Sequence, residues 1–300
     1  MKLHHLQALT GAVEHGSIRA AARAMHLTQA ALTKSLRQLE EEHNLALLVR
    51  RPSGIALTPA GERLHARARH ILRQLQLAQD EMQEASLQAQ GLVRVGLTPF
   101  LLQSVMGEAF AWFRKRYPMV ALGVVEGLVS RSLPSLRDGS MDFAVVADSG
   151  DLGSGDFERV AWWHETQSLV VRRGHPALRK PDAQRLRALE WVLPGPMGAA
   201  QDPSVLAMFA AAGVAPPSLF THCDAMAAMA LVRQSDAVCI MPTPLLASAD
   251  AHGLVALVCP GLTPPGVELV QISPAGVPLS PPADYLARCI RDAAQAQRRP

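Results

Sequence analysis

Between Gln29 and Arg37 the chain gathers side chains that can meet the edge of a base pair. At about 100° per residue, Ala30, Thr33, Lys34 and Arg37 cluster on one helical face, with Gln29 near its edge. Leu32, Leu36 and Leu39 fall on another face. The first face is polar, basic and free of large apolar residues. Glutamine can pair with an adenine edge, lysine and arginine with guanine or phosphate, and a threonine methyl with thymine. Arg50 and Arg51 follow at the base of a Pro52-Ser53-Gly54 turn, a placement suited to backbone phosphates. The chemistry this set can perform is readout of a major groove by a helix, with a basic hairpin beside it.

The elements that must hold these residues are legible. Residues 3–15 fit a helix with Leu3, Leu6, Leu9 and Val13 on one stripe, ended by Gly16. Ser17 can cap a second helix, Ile18 to Met25, whose Ala20, Ala21, Ala22 and Ala24 permit close backbone approach. Leu27 sits in a short turn, and Thr28 caps a third helix running from Gln29 to about His43. Two short strand-like runs between Leu47 and Thr58 flank the Pro-Ser-Gly turn and form a hairpin wing. Alanine-rich three-helix segments are common, and a charged helix face is ordinarily just solvated. The ordered combination of three helices, hairpin and basic placement favours DNA. The candidate DNA-contacting residues are Ser17, Thr28, Gln29, Ala30, Thr33, Lys34, Arg37, Arg50 and Arg51.

Charge distribution agrees. The whole chain carries only +3, yet from Ser17 to Arg73 ten basic residues oppose four acidic ones, leaving the remainder at −3. A basic head on a slightly acidic body suits a polyanion-binding module attached to something else.

Thr58-Pro59 starts another helix, a hydroxyl cap followed by proline at the first helical position. To about Gln90 it contains no further proline. Leu64, Ala68, Ile71, Leu75, Ala78, Met82 and Ala85 alternate in steps of four and three, a heptad seam. The expected dimer contacts are Leu64, Ala68, Ile71, Leu75 and Met82. Two heads related by a two-fold axis would read an interrupted inverted repeat.

After Gly91 strands and helices alternate: 92–97, 120–125 and 143–146, then 168–171, 191–193 and 237–241, with helices at 130–137, 225–234 and 284–297. The pattern predicts a parallel α/β sheet. Ligands of open α/β sheets lie beyond the carboxyl ends of strands, at helix starts. Three starts qualify: Thr98-Pro99-Phe100, Val129-Ser130 and Met197-Gly198-Ala199-Ala200. Free N–H groups and the helix dipole there favour an anion. The candidate effector contacts are Thr98, Pro99, Phe100, Leu101, Ser130, Leu193, Met197, Gly198, Ala199, Ala200, Gln201 and His222. They point to a small organic acid, with an aromatic body fitting Phe100. The plainer reading is that Thr98 and Ser130 only cap helices and His222 is structural.

The stretches Leu6-Gln7-Ala8-Leu9, Gly16 to Ala22, Leu27 to Thr33, Leu36 to Glu40 and Leu57 to Gly61 resemble, collinearly, the head of LysR-type transcriptional regulators. One departure is Ala30, where the family usually carries proline; proline is favourable but dispensable in a first helical turn. Looser matches continue through Leu136 to Ala144 and Val170 to Pro176. The resemblance implies a winged helix-turn-helix at 1–58, a linker helix that dimerises at 59–90, and an effector domain at 91–300. That domain would be a two-lobed α/β unit resembling periplasmic binding proteins, lobe I about 91–163 plus 267–300 and lobe II about 164–266. It further implies an inducer bound between the lobes, homodimers or homotetramers, and RNA polymerase as a partner.

Other classes have little support. No apolar run approaches the ~18–20 residues of a membrane span, and the N-terminus lacks the stretch of a secretory signal, so a cytoplasmic protein is expected. Cys223, Cys239, Cys259 and Cys289 form no C-x-x-C pair, which leaves no metal site and favours small buried hydrophobes. There is no G-x-S-x-G, H-E-x-x-H, P-loop or G-x-G-x-x-G motif, so neither catalysis nor a cofactor is expected.

Overall fold

The computed structural model describes residues 1–51, 54–84, 91–148, 152, 155–194, 203–248 and 251–298. They fall into two units, Met1–Gly91 with Pro134–Asp142, and Leu92–Leu133 with Phe143–Pro300.

In the first unit, α1 (Leu3–Glu14), α2 (Ile18–Ala24) and α3 (Gln29–His43) precede a hairpin of β1 (Leu48–Arg51) and β2 (Gly54–Leu57), and α4 (Pro59–Glu84) follows. The Ser17 hydroxyl accepts from Ala20 N–H and the Thr28 hydroxyl from Ala31 N–H, both at 3.1 Å. Each satisfies one of the unpaired donors of a first helical turn. Leu9, Leu32 and Leu39 are fully buried, packed with Ala12, Ala21 and Ala22, whose small side chains let the three helices close on one another. The hairpin is antiparallel, with Arg50 opposite Ile55 and Arg51 opposite Gly54. Its turn residues Pro52 and Ser53 lie outside the described residues.

Four hydrogen bonds lock the hairpin between α3 and α4. The Glu40 carboxylate accepts from Leu47 N–H at 2.7 Å and Leu48 N–H at 3.1 Å. Thr58 donates to Ala46 O at 2.8 Å and accepts from Gly61 N–H at 3.0 Å, capping α4. A Cβ on Gly61 would stand 2.1 Å from Leu47 O, so that position requires glycine.

The seam expected along α4 is narrowed. Leu64 packs against the head's own core and Ala68 is fully buried within the one chain, because the start of α4 lies along α1. Ile71 and Leu75 are 43% and 37% exposed. Met82 stands on α4 with its side chain outside the described residues. On another side of α4, Arg69 pairs with Asp138 at 2.9 Å and Arg73 with Asp142 at 2.7 Å.

The second unit runs β3 (Gly91–Leu97), α5 (Pro99–Ser104), α6 (Met106–Arg116), β4 (Val120–Glu126), α7 (Val129–Arg137, which passes into the first unit at Pro134), β5 (Phe143–Asp148), β6 (Phe157–Glu165) and β7 (Gln167–Arg172). It continues with α8 (Ala183–Arg187), β8 (Trp191–Pro194), α9 (Pro203–Ala211), β9 (Phe220–Cys223), α10 (Ala225–Gln234), β10 (Cys239–Pro242), β11 (Leu254–Leu257), β12 (Val267–Pro274) and α11 (Pro281–Arg298). One sheet has the order β4-β3-β5-β12-β6. A second has the order β10-β7-β11, with the pair β8-β9 joined to it by a bridge between Trp191 and Val238. Trp191 anchors that half: it is fully buried, meets Phe209 edge-on at 5.4 Å, and donates its indole N–H to Leu186 O at 3.0 Å.

The expectation of a parallel sheet is corrected here. β3 and β5 pair in parallel, as do β8 and β9, but β12 is antiparallel to both β5 and β6, and β7 is antiparallel to both β10 and β11. Parallel pairing needs a crossover between the partners. β12 instead enters from a distant part of the chain and is free to run the other way.

Gly61→Ala is expected to destabilise the protein by about 1–3 kcal/mol, the usual cost of overpacking against an element that cannot move. Urea denaturation measures it, and an unchanged midpoint would show that the hairpin yields to the added methyl.

Candidate nucleic-acid interface and effector cavity

The outward face of α3 is set by what the other face buries. With Leu32, Leu36 and Leu39 in the core, Gln29, Ala30, Lys34 and Arg37 are left exposed and Thr33 half-buried. Together they line a shallow groove that Gln38 and Glu41 complete. Those two residues are absent from the sequence-derived set, although the same helical period puts them on this face. Ser17 and Thr28 spend their oxygens on caps, which leaves their O–H groups as possible donors. Arg50 and Arg51 stand on β1 of the wing.

A cavity of about 460 Å³ lies in the second unit. The first sheet and its helices contribute Thr98, Pro99, Phe100, Gly127, Leu128, Val129, Ser130, Ala147, Asp148, Val267 and Leu269. The second contributes Leu193, Pro194, Ala225, Met229, Ile240, Met241, Pro242 and Leu245, with Ser204 beside them. Glu165 and Gln167, on either side of the step from β6 to β7, complete the lining. Gly127 is needed for the close approach of its loop to the sheet. Its N–H bonds Leu97 O at 2.7 Å, and an added Cβ would sit 2.7 Å from Leu97 N.

Of the effector residues expected from sequence, Thr98, Pro99, Phe100, Ser130 and Leu193 line this cavity. Two others do not. Leu101 is fully buried in the core. His222 stacks along Phe220 with ring centroids 6.2 Å apart, because residues two apart on β9 share a face and Phe220 packs against the core around Trp191 and Phe209. Met197, Gly198, Ala199, Ala200 and Gln201 lie outside the described residues. Sequence reasoning passed over Asp148, Glu165 and Met229, which sit on a strand end, a strand end and a helix without any motif to mark them.

Two features give the cavity its chemistry. Thr98 is 6% exposed and makes no side-chain cap bond, and its Oγ1 is buried with no partner among the described residues. Asp148 and Glu165 are also buried. Asp148 is ion-paired with Arg159, and Glu165 accepts from Trp163 Nε1 at 3.0 Å and Thr166 N–H at 3.1 Å. Cys239, Cys259 and Cys289 fit the expectation of small buried hydrophobes and Cys223 is half-buried; burial pushes all four thiols up, away from the reactive thiolate. Among the described residues no group of His, Cys, Asp and Glu could hold a metal ion, and no helix is long and apolar enough to cross a membrane.

Removing a working cap costs about 1 kcal/mol, whereas removing a buried hydroxyl that bonds nothing costs little. Thr98→Val is therefore expected to leave the stability of the ligand-free protein unchanged or slightly raised in urea denaturation. A loss of about 1 kcal/mol would return Thr98 to a capping role.

Comparison with known proteins agrees with this geometry. Residues 3–62 match the model of the bacterial regulatory helix-turn-helix protein, lysR family, and residues 86–295 match the LysR substrate binding domain. The HTH-type transcriptional regulator TdcA of Escherichia coli is 28% identical over 193 residues, 64% of this chain and 62% of TdcA, so that match spans under two thirds of the relative. The HTH-type transcriptional regulator PcaQ of Agrobacterium fabrum is 29% identical over 303 residues, 98% of this chain and 95% of PcaQ. Full-length CbnR, solved in complex with its target DNA, shares the fold with a TM-score of 0.66 and 22% identity, over 98% of this chain and 100% of CbnR. The chain belongs to the lysR family of bacterial regulatory helix-turn-helix proteins and carries that family's substrate binding domain behind the helix-turn-helix head.

Proposed function

We propose that the chain is a transcriptional regulator that binds an interrupted inverted repeat in double-stranded DNA as a homodimer, under the control of a small organic effector held in the cavity. The observation that carries this reading is the outward face of α3, where Gln29, Ala30, Lys34 and Arg37 stand exposed beside Thr33. Gln29, Thr33, Lys34 and Arg37 would meet base edges, and Arg50 and Arg51 would meet phosphates. The setting would be the cytoplasm. RNA polymerase would be the partner through which occupancy of the DNA changes transcription.

Ile71 and Leu75 support self-association. Two large aliphatic side chains one turn apart and exposed on α4 favour pairing of two such helices. Met82 extends the seam in sequence, and association of the second units would make tetramers. For the effector, Phe100, Leu193 and Met229 favour an apolar or aromatic body. An anionic head has Thr98 and the first turns of α5 and α7 in its favour, and the carboxylates of Asp148 and Glu165 against it.

Gel shift on the DNA upstream of the protein's own gene tests the DNA reading. Lys34→Ala and Arg37→Ala are each expected to cost about 1–3 kcal/mol at a specific site where they make a good base contact. Arg51→Ala is expected to weaken all sequences alike and to flatten the salt dependence. Unchanged affinity in all of them would remove α3 as the reading helix.

Sedimentation tests the assembly. Ile71→Asp with Leu75→Asp places unpartnered charges in the seam, and the protein is expected to become monomeric or to pair only through its second unit. Unaltered assembly in a chain truncated after residue 90 would refute the α4 seam.

A further inference from the structure

We infer that the occupant of the cavity presents a hydrogen-bond-donating head, a protonated amine or an amide, rather than a carboxylate. The inference rests on the proposal that this cavity is the effector site and adds the chemistry of the ligand.

The charges in the wall are of one sign. Asp148 and Glu165 line the cavity, and no lysine, arginine or histidine does so among the described residues. The guanidinium of Arg159 is bonded to Asp148 and does not line the wall. A carboxylate ligand would have to leave water and stand against Glu165, which is 3% exposed, with no cation in the lining to meet it. Burying an ion without an opposite charge is among the most costly steps a binding site can impose.

The acceptors in and beside the wall ask for the opposite kind of ligand. Thr98 Oγ1 is buried with no partner among the described residues, and it can accept from an amine or amide N–H. Glu126 directly precedes the lining residue Gly127, and its Oε1 is likewise buried with no hydrogen-bond partner among the described residues. Glu126 lies near the end of β9, since its charge helps to push the Cys223 thiol up, after burial and Asp224. Carboxylate oxygens accept and never donate when ionised, so a donor head suits Thr98 and the Asp148 and Glu165 oxygens of the wall, and a carboxylate does not.

Helix starts are the counterweight, and their size decides the balance. A helix N-terminus carries roughly half an elementary charge, which fades within the first turn. At α5 the first residue is Pro99, which has no N–H to offer. Asp148 is already paired with Arg159, and partial charges of this kind do not offset the carboxylate of Glu165 in the same wall. The rest of the lining, Phe100, Leu193, Met229 and Ile240 among it, takes an apolar body. About 460 Å³ lies within the range that small-molecule sites occupy.

The test is thermal unfolding of the full chain with two matched sets of probes: benzylamine, benzamide and benzoate, and butylamine, butyramide and butyrate. The amine or amide of a set is expected to raise the unfolding midpoint at a concentration about tenfold lower than its carboxylate. Glu165→Gln is expected to narrow that preference, because the neutral amide no longer repels a carboxylate. Glu126→Gln serves in its place if that variant fails to fold. Benzoate or butyrate acting at the lower concentration overturns the donor head and leaves the cavity standing as the effector site. No shift from any of the six probes also overturns it. Met229→Trp, or Ala225→Leu where the tryptophan is not tolerated, fills the wall. An amine response that survives this filling places the binding elsewhere and overturns the cavity reading itself.

Discussion

The second unit depends on one strand. β12 enters between β5 and β6, antiparallel to both, with Val270 opposite Val146 on one side and Leu269 opposite Trp163 on the other. Without it the first sheet would end at β5, and both β5 and β6 would expose unpaired edges. Leu269, Val270 and Ile272 are buried, so the strand is also part of the core. Its first residues serve the site as well, because Val267 and Leu269 form part of the cavity wall. Shape of the sheet and shape of the site are therefore set by the same register, with a bulge between Leu269 and Val270 adjusting it on the β6 side.

In the first unit the corresponding constraint is the apolar stripe of α3. Burying a leucine side chain stabilises by about 1.5–3 kcal/mol, and Leu32, Leu36 and Leu39 all point inward. Rotating α3 to bury Lys34 or Arg37 instead would lose that burial and desolvate a cation. The face offered to a partner is thus the complement of the face taken by the core. Glu40 then ties the far half of the helix to the first residues of the hairpin, and Gly61 allows α4 to close against it. The position of the wing beside α3 follows from those contacts.

The cavity shows how a local signal can keep two meanings. A threonine before a proline at a helix start is a capping signature, and Thr58 performs that role, accepting from Gly61 N–H. Thr98 has the same two-residue signature and does not cap; its hydroxyl lies buried in the cavity wall. The difference is in the surroundings. Both backbone N–H groups are engaged, Thr58 with Leu47 O and Thr98 with Val145 O, but the Thr58 side-chain oxygen meets the Gly61 N–H while the Thr98 side chain is buried in the wall. A buried hydroxyl without a partner costs free energy that a ligand can recover.

The sequence alone determined the head: helix limits, caps, hairpin and the exposed face of α3 all follow from periods of 3.6 and 2 and from hydroxyls at helix starts, signals that span only a few residues. It also determined that strands and helices alternate after Gly91, and that Thr98, Phe100 and Ser130 stand at helix starts. Strands β6, β9, β11 and β12 left no such mark. β6, for instance, carries Glu158, Arg159 and His164 among its apolar residues because it is an edge with one side open. Only the tertiary structure decided that the sheets are mixed, that Leu64 packs against the head's core and Ala68 is buried, that His222 turns toward Phe220, and that Asp148 and Glu165 share a wall with Thr98. Each of these depends on which distant segment packs against which, and pairing across a long stretch of chain is set by the register of strands and the fit of buried side chains, which no local pattern records.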